Sequence, residues 1–127
     1  MGQNYPWRTV GNAIAKGLIV MPLLKTKLRN HIQKSAKDME LEFVFDNINI
    51  NGQKRGCSGF VRNVSTGVTV YINTERSVLS SMKNYLYRYA KDTKDYRGGH
   101  NMYVDTLDEL SAEVCRMLRT PLDKVRI

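Results

Sequence analysis

The stretch that decides the fold is residues 74–104, TERSVLSSMKNYLYRYAKDTKDYRGGHNMYV. Apolar side chains recur in it every three or four residues, at Val78, Met82, Leu86 and Tyr89. This spacing is typical of one face of an amphipathic helix, which we predict over 76–92. Gly98-Gly99 supplies the positive φ that a sharp reversal needs. The predicted helix covers a sheet with its apolar side and exposes a basic side that also carries Tyr87.

Another helix and three strands are predicted before this stretch. Apolar residues at helical spacing, set between lysines and arginines, predict a basic amphipathic helix over 22–38. Residues 40–50 change to a period of two, which is typical of a half-buried strand. Asn51-Gly52 is a strong signal for a tight hairpin, because both central positions of that turn need positive φ. Residues 55–63 and 68–72 then complete an antiparallel meander of three strands.

The end of the chain adds a short fourth strand at 101–104 and a third helix. Thr106 and Glu109 form a capping-box sequence that opens this helix. The predicted fold class is α+β: a three- to four-stranded antiparallel sheet, a meander, packed by two to three helices in the order α-β-β-β-α-(β)-α. Residues 1–8 are predicted to be an N-terminal arm, and residues 9–127 a single domain.

The chain is basic, and its charge is unevenly distributed. Its 127 residues hold 20 Lys and Arg against 12 Asp and Glu, a formal net charge of +8. Residues 1–39 carry seven basic and one acidic side chain, and residues 76–100 carry six and two, whereas 40–75 and 101–127 are each net −1. Cations clustered in this way indicate a polyanionic partner. The alternative is that they only keep the protein soluble.

Candidate partner-binding residues fall into two sets. In the predicted central helix, Lys83, Tyr87 and Lys91 share one face at four-residue spacing. Basic side chains neutralise phosphates, and a tyrosine can stack on an unpaired base. The second set lies on the earlier basic helix, and in both sets a solvated face is the competing interpretation. The candidate residues for binding nucleic acid or another partner are Lys83, Tyr87, Arg88, Lys91, Lys94, Arg97, His100, Lys25, Lys27, Arg29 and Lys34.

Catalytic and metal chemistry is not indicated. The sequence contains no nucleophile elbow, phosphate-binding loop, paired-histidine zinc helix or dinucleotide-binding fingerprint. Cys57, Cys115, His31 and His100 are the best transition-metal ligands, and no two lie at the close spacing of structural zinc sites. We therefore predict a non-enzymatic protein with no catalytic residue, no metal and no cofactor.

The setting predicted for the chain is intracellular. Two cysteines are too few for a disulfide framework, which favours a reduced, cytoplasmic location. The longest apolar run, at residues 17–24, falls well short of the roughly 20 residues that a membrane-spanning helix needs, so no membrane partner is predicted. The oligomeric state stays open, with a homodimer among the options.

The order of the predicted elements resembles that of nucleic-acid-binding modules. Helix, three strands, helix resembles double-stranded-RNA-binding domains, and YVDTLDEL at 103–110 resembles the strand-Thr-helix junction of phage integrase arm-binding domains. The short Lys-, Asn- and Tyr-rich chain, with VYINTE at 70–75 and KDYRGGHN at 94–101, resembles small accessory proteins of phages and mobile elements, a group that includes anti-CRISPR proteins. This resemblance implies a location in a bacterial or phage-infected cell.

The sequence thus predicts a small, basic, non-enzymatic binding protein of phage or mobile-element type. It is predicted to engage nucleic acid or a nucleoprotein complex through two basic helices. One alternative is a protein-directed inhibitor of a host nuclease or defence complex such as CRISPR-Cas, whose partner would present an acidic surface. A second is a structural or assembly protein whose basic surface is only solvated.

Overall fold

The computed structural model describes residues 24–50, 52–74 and 85–127, which form two helices and a five-stranded sheet. The elements in chain order are α1 (Leu24–Ser35), β1 (Leu41–Ile50), β2 (Gln53–Asn63), β3 (Thr69–Asn73), β4 (Tyr85–Ala90), β5 (Met102–Val104) and α2 (Leu107–Leu118). A single 3₁₀ turn at Leu122–Lys124 follows. The predicted arm at 1–8 and the start of the predicted domain lie outside the described residues. No helix within the described ranges is long and apolar enough to cross a membrane.

The sheet is an antiparallel meander in which the spatial order of the strands follows the chain, β1-β2-β3-β4-β5. The predicted α+β class and the antiparallel pairing of the first three strands are confirmed. β1 ends at Ile50 and β2 begins at Gln53. Gly52 of the predicted turn has a φ of 80°, whereas Asn51 lies outside the described residues. The predicted number of strands is corrected, because the sheet has five strands rather than three or four.

The main correction concerns the central helix predicted over 76–92. Residues 75–84 lie outside the described part, but Tyr85–Ala90 is strand β4, paired with β3 and β5. Its sequence YLYRYA fits both the helical and the strand spacing. Leu86 and Tyr89 continue the apolar residues at helical spacing, while every second residue is a tyrosine. Tyrosine favours strands, and β3 offers an edge to pair with, so long-range pairing overrides the helical spacing. Among the described elements the order is therefore α-β-β-β-β-β-α.

Both helices pack on one face of the sheet and form the main core with it. Alternate residues of each strand point to this face. The core contains Leu28 and Ile32 of α1, Cys57, Val61, Val70, Ile72 and Tyr87 of the sheet, and Leu110, Val114, Met117 and Leu118 of α2. Each fully buried aliphatic side chain contributes about 1.5–3 kcal/mol, so this layer supplies most of the apolar stabilisation.

The opposite face of the sheet is covered by the loop that follows β4. Val44, Phe60, Tyr71 and Arg88 occupy paired positions across β1 to β4 and therefore share this face. Tyr96 of the loop at 91–101 lies against Phe60 and Tyr71, with ring centroids 5.0 and 5.9 Å apart. The central strands are consequently buried on both sides.

Side-chain caps fix both ends of α2. Thr106 Oγ1 accepts from the Glu109 N–H, and the Glu109 carboxylate accepts from the Thr106 N–H, both at 3.1 Å, which is the predicted capping box. At the other end the buried Asn63 side chain donates from Nδ2 to the Leu118 carbonyl at 3.0 Å and accepts from the Ser65 N–H at 3.1 Å. Asn63 thereby ties the β2–β3 turn to the end of the helix.

Gly59 marks a close approach between β1 and β2. Its φ is 151°, and a Cβ at this position would lie 1.9 Å from the Val44 carbonyl oxygen. A side chain here requires the backbone of β1 to move. Gly67, in the β2–β3 turn, has a φ of 85° but open space where its Cβ would lie. Substitutions at the two glycines therefore distinguish the cost of steric overlap with backbone strain from the cost of backbone strain alone.

We expect Gly59→Ala to lower the free energy of unfolding by roughly 3 kcal/mol or more, because it adds both overlap and strain. Gly67→Ala adds strain alone, and we expect it to cost about 1 kcal/mol. Urea unfolding followed by circular dichroism measures both values. Equal losses for the two variants would contradict the close approach of β1 and β2.

Candidate nucleic-acid interface

The outer face of α1 carries four of the predicted cations. Leu28 and Ile32 are fully buried in the core, and helical geometry then places the basic residues between them on the outside. Lys27, Arg29 and Lys34 are exposed, Lys25 is half-buried, and α1 contains no acidic residue. We call Lys25, Lys27, Arg29 and Lys34 the α1 surface.

The cations of the α1 surface differ in their pairing from several other arginines. Arg62, Arg116 and Arg119 each pair with a carboxylate, at N–O distances of 3.2, 2.8 and 2.6 Å. None of the four α1 cations forms an ion pair with any residue in the described ranges. Their charge is therefore not neutralised by a carboxylate of that part of the chain.

Two depressions flank α1, and together they include all four cations. A pocket of about 90 Å³ is lined by Lys25, Thr26, Arg29, Phe43 and Phe45. A wider groove against the start of α2 is lined by Lys27, Asn30, His31, Lys34, Ser35 and Asp108. In the groove, His31 Nε2 lies 2.7 Å from the Asp108 carboxylate. This contact joins α1 to the N-terminal turn of α2.

The other predicted set of residues is divided by the structure. Four of its members are exposed in the loop at 91–101, namely Lys91, Lys94, Arg97 and His100, whereas Lys83 lies outside the described residues. Tyr87 and Arg88 are only 5% and 2% exposed. The prediction that these two share an exposed helical face is wrong, because they belong to a strand that is covered on both sides.

Tyr87 and its neighbour Tyr89 hold α2 against the sheet. The Tyr87 hydroxyl donates to the Glu113 carboxylate at 3.3 Å, and the Tyr89 hydroxyl donates to Thr120 Oγ1 at 2.9 Å. Burial, together with the Glu113 charge, raises the pKa of Tyr87 above its ordinary value. Its hydroxyl therefore stays protonated near neutral pH and acts as a structural donor.

Arg88 secures the loop at 91–101 from the opposite face of β4. Its Nη2 donates to the Asp95 carbonyl at 2.7 Å, and its Nη1 donates to the Tyr89 carbonyl at 3.1 Å. The guanidinium carbon lies 4.6 Å from the centre of the Tyr71 ring, a cation–π distance. The Asp95 carboxylate, at 3.6 Å, supplies the opposite charge. Arg88 is thus a structural clamp rather than a surface cation.

Asp95 orders the backbone of the same loop. Its carboxylate accepts from the Lys91 N–H at 2.9 Å and from the Arg97 N–H at 3.3 Å. The hydrogen bond from the Lys91 N–H makes the largest contribution to lowering the pKa of Asp95 below its ordinary value, and the charge of Arg88 lowers this pKa further. The cations of this loop are consequently presented on an ordered backbone.

Tyr96 is an exposed aromatic residue of this loop that the sequence patterns did not indicate. It lies between Asp95 and Arg97, packs on the sheet and remains 52% exposed. Its ring therefore helps to cover the outer face of the sheet. The periodic patterns give no signal for a residue in a loop, although an aromatic residue directly before Arg97 is a local hint.

The two sets of cations lie on opposite sides of the sheet. α1 packs on the face that carries Val61, whereas Tyr96 packs on Phe60, the preceding residue of β2. Adjacent side chains of a strand point to opposite faces. The α1 surface and the loop at 91–101 therefore form two separate basic surfaces.

Neither cysteine has the character of an activated nucleophile. Cys57 and Cys115 are free and buried. Burial raises the pKa of Cys57 to about 11 and also raises that of Cys115. Both are therefore thiols rather than reactive thiolates at neutral pH. Within residues 24–50, 52–74 and 85–127, no three His, Cys, Asp or Glu side chains form a group that could hold a metal ion.

Comparisons with known proteins add no relative: no protein-family model matches this chain, and no curated protein or solved structure is significantly similar to it.

We expect Arg88→Met to loosen the loop at 91–101, because two carbonyls lose a charged donor. Losing buried hydrogen bonds from a charged group should cost about 2 kcal/mol of unfolding free energy. Arg62→Met removes an exposed pair with Glu42 and should cost less than about 1 kcal/mol. Urea unfolding gives both values, and amide hydrogen exchange reports on the loop. Unchanged exchange at 91–101 in Arg88→Met would be inconsistent with the clamp.

We expect the protein to lose stability as the pH rises from about 9 to about 11, through ionisation of Cys57. The folded pKa of about 11 exceeds the ordinary value of 9.0, so the folded state holds this proton more tightly than the unfolded chain. The resulting stabilisation is complete below pH 9 and is lost as the pH rises through the folded pKa. Two pKa units correspond to roughly 3 kcal/mol.

Urea unfolding across this pH range measures the effect. Cys57→Ala should lack this part of the pH dependence. A wild-type curve that runs parallel to the Cys57→Ala curve would show that the thiol is not protected by burial.

Proposed function

We propose that this chain is a small non-enzymatic binding protein that engages nucleic acid, free or within a nucleoprotein complex, through the α1 surface. The proposal rests on one observation: the apolar face of α1 is fully buried, and its outer face presents cations that no carboxylate in the described ranges neutralises. Phosphates are the anions that such a group of lysines and arginines fits best.

The spacing of the α1 surface supports contact with several phosphates at once. Lys27 and Lys34 are seven residues apart along a helix, a rise of roughly 10 Å. Phosphates of one duplex strand follow each other at roughly 3.4 Å along the axis, so this distance corresponds to about three of them. Arg29 lies on the other flank of α1, beside Lys25, and its planar guanidinium can bind a further phosphate through two hydrogen bonds.

The loop at 91–101 is a second basic surface, and its position makes it a useful comparison. It faces away from α1 on the other side of the sheet, and it carries Lys91, Lys94 and Arg97. Neutralising these three residues changes the net charge of the protein without changing the α1 surface. Comparing a loop variant with an α1 variant therefore distinguishes a specific contact by α1 from a general effect of net charge on binding.

A protein-directed role, such as inhibition of a host nuclease or defence complex, is the second candidate. It is favoured by the position of β1, which among the described strands pairs with β2 only. The outer edge of β1 therefore offers backbone hydrogen-bonding groups beside the cations of α1, and an acidic protein strand can add to such an edge. A partner captured from bacterial lysate that survives nuclease treatment would favour this role over nucleic-acid binding.

We expect binding of fluorescently labelled single-stranded and duplex oligonucleotides to weaken steeply with salt. Fluorescence anisotropy between about 50 and 300 mM salt gives the slope of log K against log salt, and each lost phosphate contact lowers that slope by roughly 0.7–0.9. Replacing Lys25, Lys27, Arg29 and Lys34 together by Gln should reduce affinity at least about tenfold. Stability should change by less than about 0.5 kcal/mol per site, as is usual for surface substitutions.

The matched control replaces Lys91, Lys94 and Arg97 by Gln. This variant should keep most of the wild-type affinity and slope. A larger loss here than in the α1 variant would move the interface to the loop. Absence of binding at about 50 mM salt, or a response independent of salt, would reject nucleic-acid binding altogether.

A further inference from the structure

The pocket at the start of α1 combines aromatic and cationic side chains. Phe43 and Phe45 are two residues apart in β1 and therefore point to the same face. Their rings meet edge to face, with centroids 5.6 Å apart. Lys25 and Arg29 stand on the other wall, one helical turn apart and hence on the same side of α1. Thr26 lies between them along the helix.

The position of this pocket at the margin of the sheet keeps its aromatic floor accessible. Phe43 and Phe45 belong to β1, the outermost of the described strands on this side, and remain only partly buried. Phe45 pairs with Gly59, which offers no side chain to pack against its ring. Within the described residues, an aromatic surface is consequently left open beside two cations that form no ion pair.

The lining of the pocket indicates the chemistry of its ligand. The phenylalanine rings favour a planar aromatic group, and Lys25 with Arg29 favours an anion attached to it. Among the described residues no carboxylate lines the pocket, so its charge is complementary to a phosphate. A water molecule needs roughly 10–15 Å³ of such space, and about 90 Å³ is therefore suited to a single ring rather than to a larger body.

A nucleotide meets these requirements only when its base is free. In a duplex the bases are paired and stacked, and bringing one out of the stack costs free energy. In a single strand the bases are accessible, and proteins commonly bind such strands by combining a basic groove with aromatic rings on which bases stack. The pocket therefore discriminates between the two forms, whereas lysines and arginines alone bind both.

We propose that this pocket holds one unpaired base of a single-stranded nucleic acid against Phe43 and Phe45, while Lys25 and Arg29 bind the adjoining phosphate. This assignment rests on the nucleic-acid binding proposed for the α1 surface and specifies its ligand. It makes the protein selective for single-stranded segments. The cations of α1 bind the phosphates, and a base stacks in the pocket.

The test compares a labelled single strand of about twelve nucleotides with a blunt hairpin duplex of the same sequence at about 100 mM salt. We expect Phe45→Leu to weaken single-strand binding about 5- to 20-fold, because a leucine keeps the apolar contact with the core but provides no ring for stacking. Its salt slope and its duplex affinity should stay unchanged. Arg29→Gln should weaken both forms and reduce the salt slope, because it removes a phosphate contact.

The matched aromatic control is Tyr96→Leu, which removes an exposed ring on the other side of the sheet. It should leave single-strand affinity within about twofold of wild type. A direct measurement on the wild-type chain needs no variant: a single 5-iodouracil in the oligonucleotide is photo-crosslinked and the adduct is mapped by mass spectrometry. The expected adduct lies on the β1 peptide, at Phe43 or Phe45.

The outcomes separate this assignment from the proposed function. Equal binding of single strand and duplex, with Phe45→Leu unchanged, would overturn the pocket while leaving α1 as a nucleic-acid interface. An adduct on Tyr96 would likewise overturn the pocket, in favour of the loop at 91–101. Failure to bind either oligonucleotide would overturn both. If Phe45→Leu does not fold, as judged by circular dichroism, the mapped crosslink on the wild-type protein decides alone.

Discussion

Burial of both faces of the central strands is the constraint on which the rest of the structure depends. On one face Ile72 and Tyr87 pack under the helices, and on the other Phe60 and Arg88 pack under a loop. Side chains of β3 and β4 are therefore largely committed to packing or to internal hydrogen bonds. Exposed cations are left to the periphery, which includes the outer side of α1 and the loop at 91–101.

Elements with a strong local signal could be predicted from the sequence, and the strand that depends on distant pairing could not. α1, the β1–β2 hairpin and the capped start of α2 each carry a periodic pattern or a turn and cap motif within a few residues. The sequence of β4 fits both the helical and the strand spacing of apolar residues. Its pairing with β3 decides between them, and a short stretch of sequence does not reveal that pairing. Arg88 was misplaced for a related reason: arginines are seldom buried unless paired, and its partner lies in a loop.

The candidate site was predictable to a similar extent. The cations of α1 follow directly from amphipathic spacing, because the buried positions of a helix determine which positions stay outside. The pocket could not be predicted, since Arg29 and Phe43 belong to different elements and meet only when α1 packs on β1. The separation of the two basic surfaces is also a tertiary property, because it depends on which side of the sheet the loop after β4 covers.

The tie between Asn63 and α2 has a consequence for covalent modification. Asn63-Val64-Ser65 is the only Asn-x-Ser/Thr triplet in the sequence, the acceptor signal for N-linked glycans. An oligosaccharide would be attached to Nδ2, which in the folded domain is buried and donates to the Leu118 carbonyl. In the folded domain this glycosylation acceptor is therefore inaccessible. A sugar attached to Asn63 before folding would occupy the space in which the last turn of α2 packs.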